Sequence, residues 1–116
     1  MATVASARAR WLRVAPRKLR LVADQIRGKK VAQARDILRF TVKGGAPVLG
    51  KVLAAAVANA ESKAAETRQR IDTDDFVVRS VQVDGGPTAR RFQAAPRGRA
   101  VRVRKRSSHV TMIISD

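Results

Sequence analysis

The sequence contains no cysteine, which excludes a disulfide framework and any metal site built on thiolates. An intracellular, reducing compartment fits this absence. Aromatic residues are almost as scarce, since Trp11, Phe40, Phe76 and Phe92 are the only four. No apolar run approaches the roughly 20 residues that a transmembrane helix requires. The sequence therefore predicts no membrane insertion.

Acidic residues are missing from two long stretches. The first 23 residues contain none, and none lies between Asp84 and Asp116. Cations this dense repel one another and favour an extended chain, unless a polyanion lies among them and releases its counterions. We therefore interpret the segment 84–109 as a nucleic-acid-binding arm. Its eight cations are Arg90, Arg91, Arg97, Arg99, Arg102, Arg104, Lys105 and Arg106.

The net charge supports the same partner. Lys and Arg number 25 against 9 acidic residues, a formal charge of +16, and self-repulsion of this size is unfavourable without an anionic partner. Arginine predominates over lysine, which suits forked contacts to phosphate. An anionic membrane surface would also attract this charge, but it requires an amphipathic helix with bulky apolar anchors. The most basic stretch, Val101-Arg102-Val103-Arg104, instead alternates like a strand.

Hydrophobic periodicity predicts three helices. Pro16 suits a first helical position, and Leu19, Val22, Ala23 and Ile26 follow at helical spacing, so a helix is expected over Pro16–Arg27. A second is expected over Val31–Phe40, with Val31, Ala34, Ile37 and Leu38 buried. A third begins at Pro47 after the break at Gly44-Gly45. Its predicted apolar face comprises Val48, Leu49, Val52, Leu53, Ala56, Val57 and Ala60.

Three strands are expected around these helices: Val4–Val14, Phe76–Val83 with a bulge at Arg79, and His109–Ser115. The last two should pair antiparallel, because a hairpin connects them. A turn is predicted at Gly85-Gly86-Pro87 and the tip of the hairpin at Arg90–Pro96. The chain of 116 residues is predicted to be one α+β domain, residues 1–116. Its three helices pack on a small antiparallel sheet, with a long protruding basic β-hairpin as an arm over about residues 84–106.

The sequence contains no set of residues that is typical of a catalytic or metal-binding site. His109 is the only histidine, and neither a cysteine nor a spaced carboxylate pair accompanies it. We expect a hydrogen-bonded strand histidine there. Asp72, Asp74 and Asp75 lack the glycine and terminal glutamate of a calcium loop, and Gly85-Gly86-Pro87 lacks a phosphate-binding lysine. We predict no enzyme activity, no cofactor and no metal.

Several segments together resemble one family, the bacterial large-ribosomal-subunit protein L-twenty-two. Pro16-Arg17-Lys18-Leu19-Arg20-Leu21-Val22-Ala23-Asp24 and Ile26-Arg27-Gly28-Lys29-Lys30-Val31 look like its first helix and turn. Ala32–Leu38 and Lys51–Glu61 look like its second and third helices. Val83–Thr88 resembles the hairpin entry, and Gly98-Arg99-Ala100 with Lys105–Thr111 its exit and final strand. Where the family usually has a Pro-Arg pair, this chain has Ala94-Ala95, and its pair is Pro96-Arg97, two positions later.

The resemblance covers nearly the whole chain, so the acid-free start, which alone would fit a transit peptide, is assigned to the folded body. It implies a cytoplasmic structural protein of the large ribosomal subunit. The implied partners are 23S rRNA, neighbouring ribosomal proteins and, at the hairpin tip, the nascent polypeptide in the exit tunnel. The implied tunnel-proximal residues are Arg90, Arg91, Phe92 and Gln93.

The residues also predict an N-terminal RNA face, to which the resemblance adds the basic flanks of the hairpin. The predicted rRNA-binding residues are Arg8, Arg10, Arg13, Arg17, Lys18, Arg20, Lys29, Lys30, Arg97, Arg99, Arg102, Arg104, Lys105, Arg106, Ser107 and His109. Phe92 could stack on a base. The first alternative is a DNA-architectural protein whose basic ribbon grips the minor groove, and the second is an RNA-acting enzyme.

Overall fold

The computed structural model describes residues 4–116 and shows an α+β arrangement, in which three helices pack against a three-stranded antiparallel sheet. This confirms the predicted fold class. The elements in chain order are β1 (Val4–Leu12), α1 (Pro16–Ile26), α2 (Val31–Phe40), α3 (Gly45–Glu66), β2 (Val77–Ala94) and β3 (Ala100–Ser115). Two short 3₁₀ turns, Thr73–Asp75 and Pro96–Gly98, precede β2 and β3 respectively.

The first two helices bury the residues that their spacing predicts. α1 begins at Pro16 and buries Leu19, Val22, Ala23 and Ile26. Gly28 follows with φ of +80°, a conformation that glycine adopts without steric cost, and the chain turns into α2. α2 has the predicted bounds and buries Val31, Ala34 and Leu38, while Ile37 packs at the edge of the core.

α3 begins two residues earlier than predicted, at Gly45 rather than Pro47. Its first residue lies close to α1, since a Cβ atom at Gly45 would lie 2.8 Å from Cδ1 of the buried Leu19. Gly45, the second glycine of a pair that reads as a break in the sequence, therefore supplies the space for helix packing, whereas no atom lies within 4 Å of a Cβ position at Gly44. Most of the predicted apolar face is buried, but Val48 is only half-buried.

The sheet has the order β1-β3-β2, so the last strand in the chain lies in the centre. Val110, Met112 and Ile114 of β3 are buried in the hydrophobic core, as their alternation predicts. Ala5 and Ala7 of β1 face the same core. β1 ends at Leu12 rather than Val14, and its register with β3 shifts between Ala9 and Leu12.

Both outer edges of the sheet are covered by side chains from the helices. On β1, Asn59 Nδ2 donates to the Ser6 carbonyl and Lys63 Nζ to that of Val4, each at 2.7 Å. On β2, Arg27 Nη2 donates to the Val81 carbonyl at 2.7 Å, and Arg20 donates to that of Val83. Unpaired backbone N–H and C=O groups of an edge strand can pair with a strand of another chain, so these hydrogen bonds protect the sheet from such association.

The predicted bulge at Arg79 is confirmed by a register shift between Val78 and Ser80. The guanidinium of Arg79 bonds to Ser115 Oγ at 2.8 Å and to the Asp116 carbonyl at 3.0 Å. A bulge re-aims one side chain of a strand, and here it directs Arg79 across the end of β3.

β2 and β3 pair antiparallel from Val77↔Ser115 to Ala94↔Ala100, so they form one hairpin. The turn predicted at Gly85-Gly86-Pro87 is wrong, because β2 runs through these residues with a bulge between Gly85 and Thr88. The tip predicted at Arg90–Pro96 is also displaced. The chain reverses at Pro96–Gly98, where Arg97 and Gly98 both have positive φ and Ala95 N–H bonds to the Arg99 carbonyl at 2.7 Å. The shifted Pro96-Arg97 pair thus forms the turn itself.

Candidate nucleic-acid interface

The outer part of the hairpin has two chemically different faces. We define the arginine face by the side chains that share one side through the register Thr88↔Arg106, Arg90↔Arg104 and Phe92↔Arg102. The valine face is the opposite side, with the pairs Ala89↔Lys105, Arg91↔Val103 and Gln93↔Val101. Four of the arm's arginines therefore lie on a single side of a two-stranded ribbon.

The pair Arg90↔Arg104 places two guanidinium groups opposite each other across the strands. Like charges in this position destabilise a sheet. None of the eight arm cations pairs with a carboxylate among residues 4–116, since the ion pairs Arg27–Asp24 and Arg35–Asp74 lie in the body. The hairpin therefore presents cationic charge that an external anion would neutralise.

The arginine face continues onto the start of α1. A cleft of about 740 Å³ lies between them, and no carboxylate lines it. Its cations are Arg17, Arg20, Arg90, Arg104 and Arg106. The predicted N-terminal RNA face and the predicted basic arm therefore adjoin each other, because α1 begins beside the root of the hairpin.

A second groove lies against the valine face, between the hairpin and the segment that joins β1 to α1. Arg13 and Lys18 contribute from the body, and Arg91 and Lys105 from the hairpin. Trp11 also lines this groove, and no carboxylate does. The hairpin root thus has basic surface on both sides, with Arg104 and Arg106 at the rim of both grooves.

Arg8 and Arg10 lie on the solvent-facing side of β1, apart from the α1 cleft. They line a shallow cleft across the sheet together with Gln82, Asp84 and His109. Asp84 places a carboxylate within this surface. The first two predicted contacts therefore lie in a less uniformly cationic environment than those at the hairpin root.

Three of the predicted contact residues have structural bonds of their own. Arg20 donates from Nε and Nη2 to the Val83 carbonyl, which leaves Nη1 for the cleft. Ser107 Oγ donates to the Pro87 carbonyl at 2.7 Å. His109 Nδ1 accepts from the Trp11 N–H at 3.2 Å, which confirms a hydrogen-bonded strand histidine.

The remaining predicted residues are brought together with these only in part. Lys29 and Lys30 follow the other end of α1, where their backbones pair with the start of β2, and they line neither groove. Arg97 lies in the turn and Arg99 closes it. Arg90–Gln93 lie along β2, opposite Val101–Arg104, rather than at the tip. Arg90 lines the α1 cleft and Arg91 the second groove, whereas Phe92 and Gln93 line neither.

Two further residues shape this surface, although the sequence did not single them out. Ser108 is fully buried and its Oγ donates to the Val14 carbonyl, which holds the β1–α1 connection on β3. Trp11 is exposed beside the hairpin root. An aromatic residue within an acid-free, arginine-rich stretch was the available signal for Trp11, whereas nothing local distinguishes Ser108 from Ser107.

Other site chemistries have no support in the described part of the chain. Residues 4–116 contain no group of three or more His, Cys, Asp or Glu side chains placed to hold a metal ion. None of the helices within that range is long and apolar enough to span a membrane.

Comparison with known proteins identifies the family. Residues 7–115 match the family model described as ribosomal protein L22p/L17e. The chain is 48% identical over 112 residues to the large ribosomal subunit protein uL22 of Maridesulfovibrio salexigens, and the match covers 97% of each chain. It is 46% identical over 112 residues to the uL22 protein of Staphylococcus aureus strain JH9, with 97% of this chain and 92% of the relative covered. The match reaches from β1 to the end of β3, and the chain therefore belongs to the L22p/L17e family of ribosomal proteins.

Proposed function

We propose that this chain is a structural component of the large ribosomal subunit that binds 23S rRNA and supports its assembly. Its location would then be cytoplasmic. The relatives at 46–48% identity are named as large ribosomal subunit proteins and match over nearly their whole length. Membership of a structural ribosomal protein family also confirms that the chain is not an enzyme.

The observation that carries the proposal is the convergence of cations at the hairpin root. Five arginines from α1, β2 and β3 line one cleft without a carboxylate, although they are far apart in sequence. Holding these charges together is unfavourable in the free protein. Phosphate groups in the cleft would offset the repulsion and release counterions, which makes binding favourable and dependent on salt.

Recognition would depend mainly on backbone shape. Arginine presents a planar fork that matches phosphate oxygens, and the arginine face offers several such forks along one side of the ribbon. The deep major groove of an RNA helix excludes most side chains from the bases, so phosphate and ribose contacts should dominate there. The predicted contacts in the two grooves, including Arg13, Arg17 and Lys18, belong to this set.

We further propose that the hairpin extends through the rRNA to the wall of the nascent-peptide exit tunnel. The long dimension of the molecule is 67 Å against 25 and 16 Å, so the arm has the reach to pass through folded RNA. The end nearest the tunnel would be the turn Pro96–Gly98, with Arg90–Gln93 directly behind it on β2. Contact with the nascent polypeptide would occur at this end, and neighbouring ribosomal proteins would pack on the body.

Sedimentation of tagged protein from lysate through a high-salt sucrose gradient tests the proposal. Stoichiometric retention on the large subunit is expected, because a threaded hairpin cannot be removed by screening alone. The double variant Arg102→Gln/Arg104→Gln should be retained on the large subunit in a smaller fraction than the wild type at the same salt concentration. Its control is Arg68→Gln/Arg70→Gln, which removes the same charge from the exposed connection after α3. Release of the wild-type protein to the top of the gradient would contradict the proposal.

The DNA-architectural alternative requires an apolar wedge at the tip of the ribbon. Phe92, its only candidate, lies on the arginine face of β2, away from the turn at Pro96–Gly98. The structure therefore offers no specific observation in favour of DNA bending.

A further inference from the structure

Trp11 occupies an unusual position at the end of β1. Its φ angle is +60°, in the left-handed region that bulky side chains rarely adopt because the backbone crowds the Cβ atom. The residue lies within the register shift between Ala9 and Leu12. Leu12 packs against the core, whereas the Trp11 side chain is turned outward and remains 58% exposed. Burial in the core therefore does not compensate for this backbone conformation, and such strain is typical of functional positions.

The indole ring is held in place by His109. The backbone N–H of Trp11 donates to His109 Nδ1 at 3.2 Å, and the two rings meet edge to face, with centroids 5.2 Å apart at 85°. His109 is itself confined, since a Cβ atom at Gly86 would lie 3.2 Å from its Cε1 and Nε2 atoms. An exposed aromatic side chain thus packs edge to face on a histidine at the root of the hairpin.

Cations surround this ring on two sides. Arg13, Lys18 and Lys105 lie with it in the groove against the valine face. Arg8 and Arg10 lie with it in the cleft across the sheet. Proteins that bind single-stranded nucleic acid combine a positively charged groove with aromatic rings on which bases stack. A base within an RNA duplex is already stacked on its neighbours, so the ligand of such a ring must be unpaired.

We propose that Trp11 is a stacking platform for an unpaired base of RNA, with the adjoining phosphates bound by Arg13, Lys18 and Lys105. The proposal rests on the rRNA-binding function and adds a site that reads a flipped or single-stranded nucleotide at the hairpin root. Phe92, the aromatic residue that the sequence favoured for stacking, is 75% exposed and belongs to no ring contact among the described residues. Trp11 is instead pre-oriented, which lowers the entropic cost of stacking.

Tryptophan fluorescence tests the proposal directly, because Trp11 is the only tryptophan and the chain has no tyrosine. The wild-type protein is titrated with a fluorescently labelled twelve-nucleotide oligoadenylate and with an abasic RNA strand of the same length. Anisotropy of the RNA label reports binding, and emission of Trp11 reports stacking. Both strands should bind in low salt, but only the oligoadenylate should quench Trp11 strongly.

Variants provide a second measurement. Trp11→Ala should weaken binding of the oligoadenylate at least about fivefold and leave binding of the abasic strand within about twofold, since stacking acts only through the base. Trp11→Phe keeps an aromatic ring and should stay within about threefold of wild type for both strands. Thermal unfolding of both variants verifies that they are folded, and the fluorescence titration of the wild-type protein does not depend on them.

The outcomes separate this proposal from the function on which it rests. Binding of both strands with unchanged Trp11 emission, or equal quenching by the abasic strand, would overturn the stacking platform alone. Absence of an anisotropy change with either strand would also overturn the platform, whereas the rRNA-binding function is overturned only by release of the wild-type protein from the large subunit in the sucrose gradient.

Discussion

The guanidinium of Arg20 donates two hydrogen bonds to one acceptor, the carbonyl oxygen of Val83, from Nε at 3.1 Å and from Nη2 at 2.9 Å. Val83 is the last buried residue of β2 before the chain leaves the core for the hairpin. α1 therefore fixes the point from which the arm projects. An arginine that composition alone assigns to RNA also holds the edge of the sheet.

Replacement of Arg20 should destabilise the free protein. Arg20→Lys keeps the charge but removes the fork, and we expect a loss of about 1 kcal/mol in the free energy of unfolding, because the carbonyl keeps at most one of its two donors. Urea unfolding of the variant and the wild type measures this loss of stability. Arg17→Lys, one turn earlier on α1, is the matched control and should change stability by less than about 0.5 kcal/mol. Equal effects at the two positions would contradict the structural role of Arg20.

The contact between Gly86 and Ser107 predicts a steric effect at the root of the hairpin. A Cβ atom at Gly86 would lie 2.5 Å from Ser107 Oγ, so Gly86→Ala should lower the free energy of unfolding by about 1–3 kcal/mol through overpacking. Gly85→Ala is the neighbouring control, because no atom lies within 4 Å of its Cβ position. Thermal unfolding followed by circular dichroism compares the two.

A double variant identifies the cause of this loss. Ser107→Ala removes the oxygen that a Cβ atom at Gly86 would strike, so Gly86→Ala should cost less in that background than in the wild type. A cost that is unchanged, or a larger effect at Gly85, would show that the Ser107 contact is not responsible.

The two faces of the hairpin should contribute differently to RNA affinity. Arg102→Gln/Arg104→Gln removes two cations from the arginine face, so the slope of log affinity against log salt should fall in magnitude by about 1.5. Val101→Thr/Val103→Thr alters the other two residues of the same strand segment and should leave the slope unchanged. Anisotropy titrations against a 23S rRNA fragment at several salt concentrations measure both. Similar slopes for the two double variants would refute the binding of phosphate by Arg102 and Arg104 of the arginine face.

The same arginines should have the opposite effect on the free protein. Arg104→Gln removes the repulsion from Arg90 across the strands and should stabilise the unbound hairpin by about 0.2–1 kcal/mol. Amide hydrogen exchange of residues in the outer hairpin would detect this as slower exchange. Faster exchange in Arg104→Gln would indicate that the side chain is a net stabiliser before RNA binds.

Limited digestion with trypsin should report whether RNA covers the arm. Among the described residues β1 pairs with β3 only as far as Ser108, so beyond Thr88 the hairpin has two strands, and a two-stranded ribbon alone is marginally stable in water. We expect rapid cleavage between Arg90 and Arg106 in the free protein, beginning after Arg97 and Arg99 at the turn. Bound rRNA should suppress it. Equal cleavage rates with and without rRNA would be inconsistent with an arm that lies inside folded RNA.

The helices and the core strands could be predicted from the sequence because one face of each is buried. Leu19, Val22 and Ile26 mark the buried stripe of α1 through spacing alone, and Val110, Met112 and Ile114 mark the inner side of β3. Arg79 interrupts a β-branched run, which correctly indicates a bulge. In each case the spacing of the apolar residues indicates which side of the element faces the core.

The hairpin was less predictable because neither of its sides is buried. Without a hydrophobic face, the register and the turn are set by local backbone conformation, and the alternation at Val101–Arg104 suits several turn positions. Arg97 and Gly98 at positive φ place the reversal at Pro96–Gly98. At the bulge between Gly85 and Thr88, the Pro87 carbonyl accepts a hydrogen bond from Ser107 Oγ, 20 positions away in the sequence, a contact that no local pattern encodes.

The residues of the candidate site were likewise only partly predictable from the sequence. The sequence identified the cations that line the two grooves, since composition and the absence of acids were sufficient. It did not separate Arg20, whose bonds to Val83 are long-range, from Arg17, which is free to contact a ligand in the cleft. It also did not select Trp11, because a bulge and a contact with a histidine 98 positions later determine its exposure.

The central position of β3 has a consequence for synthesis of the protein. β1 and β2 are hydrogen-bonded to β3 and not to each other, so neither has its sheet partner until Ala100–Ser115 has been translated. The helices contain their own hydrogen bonds and are able to form earlier, as each emerges. β1 must wait for almost the entire chain, with Ala5 and Ala7 still exposed to water. Completion of the sheet is therefore a late event in the life of the newly made polypeptide, and it depends on closing a contact of very long sequence separation.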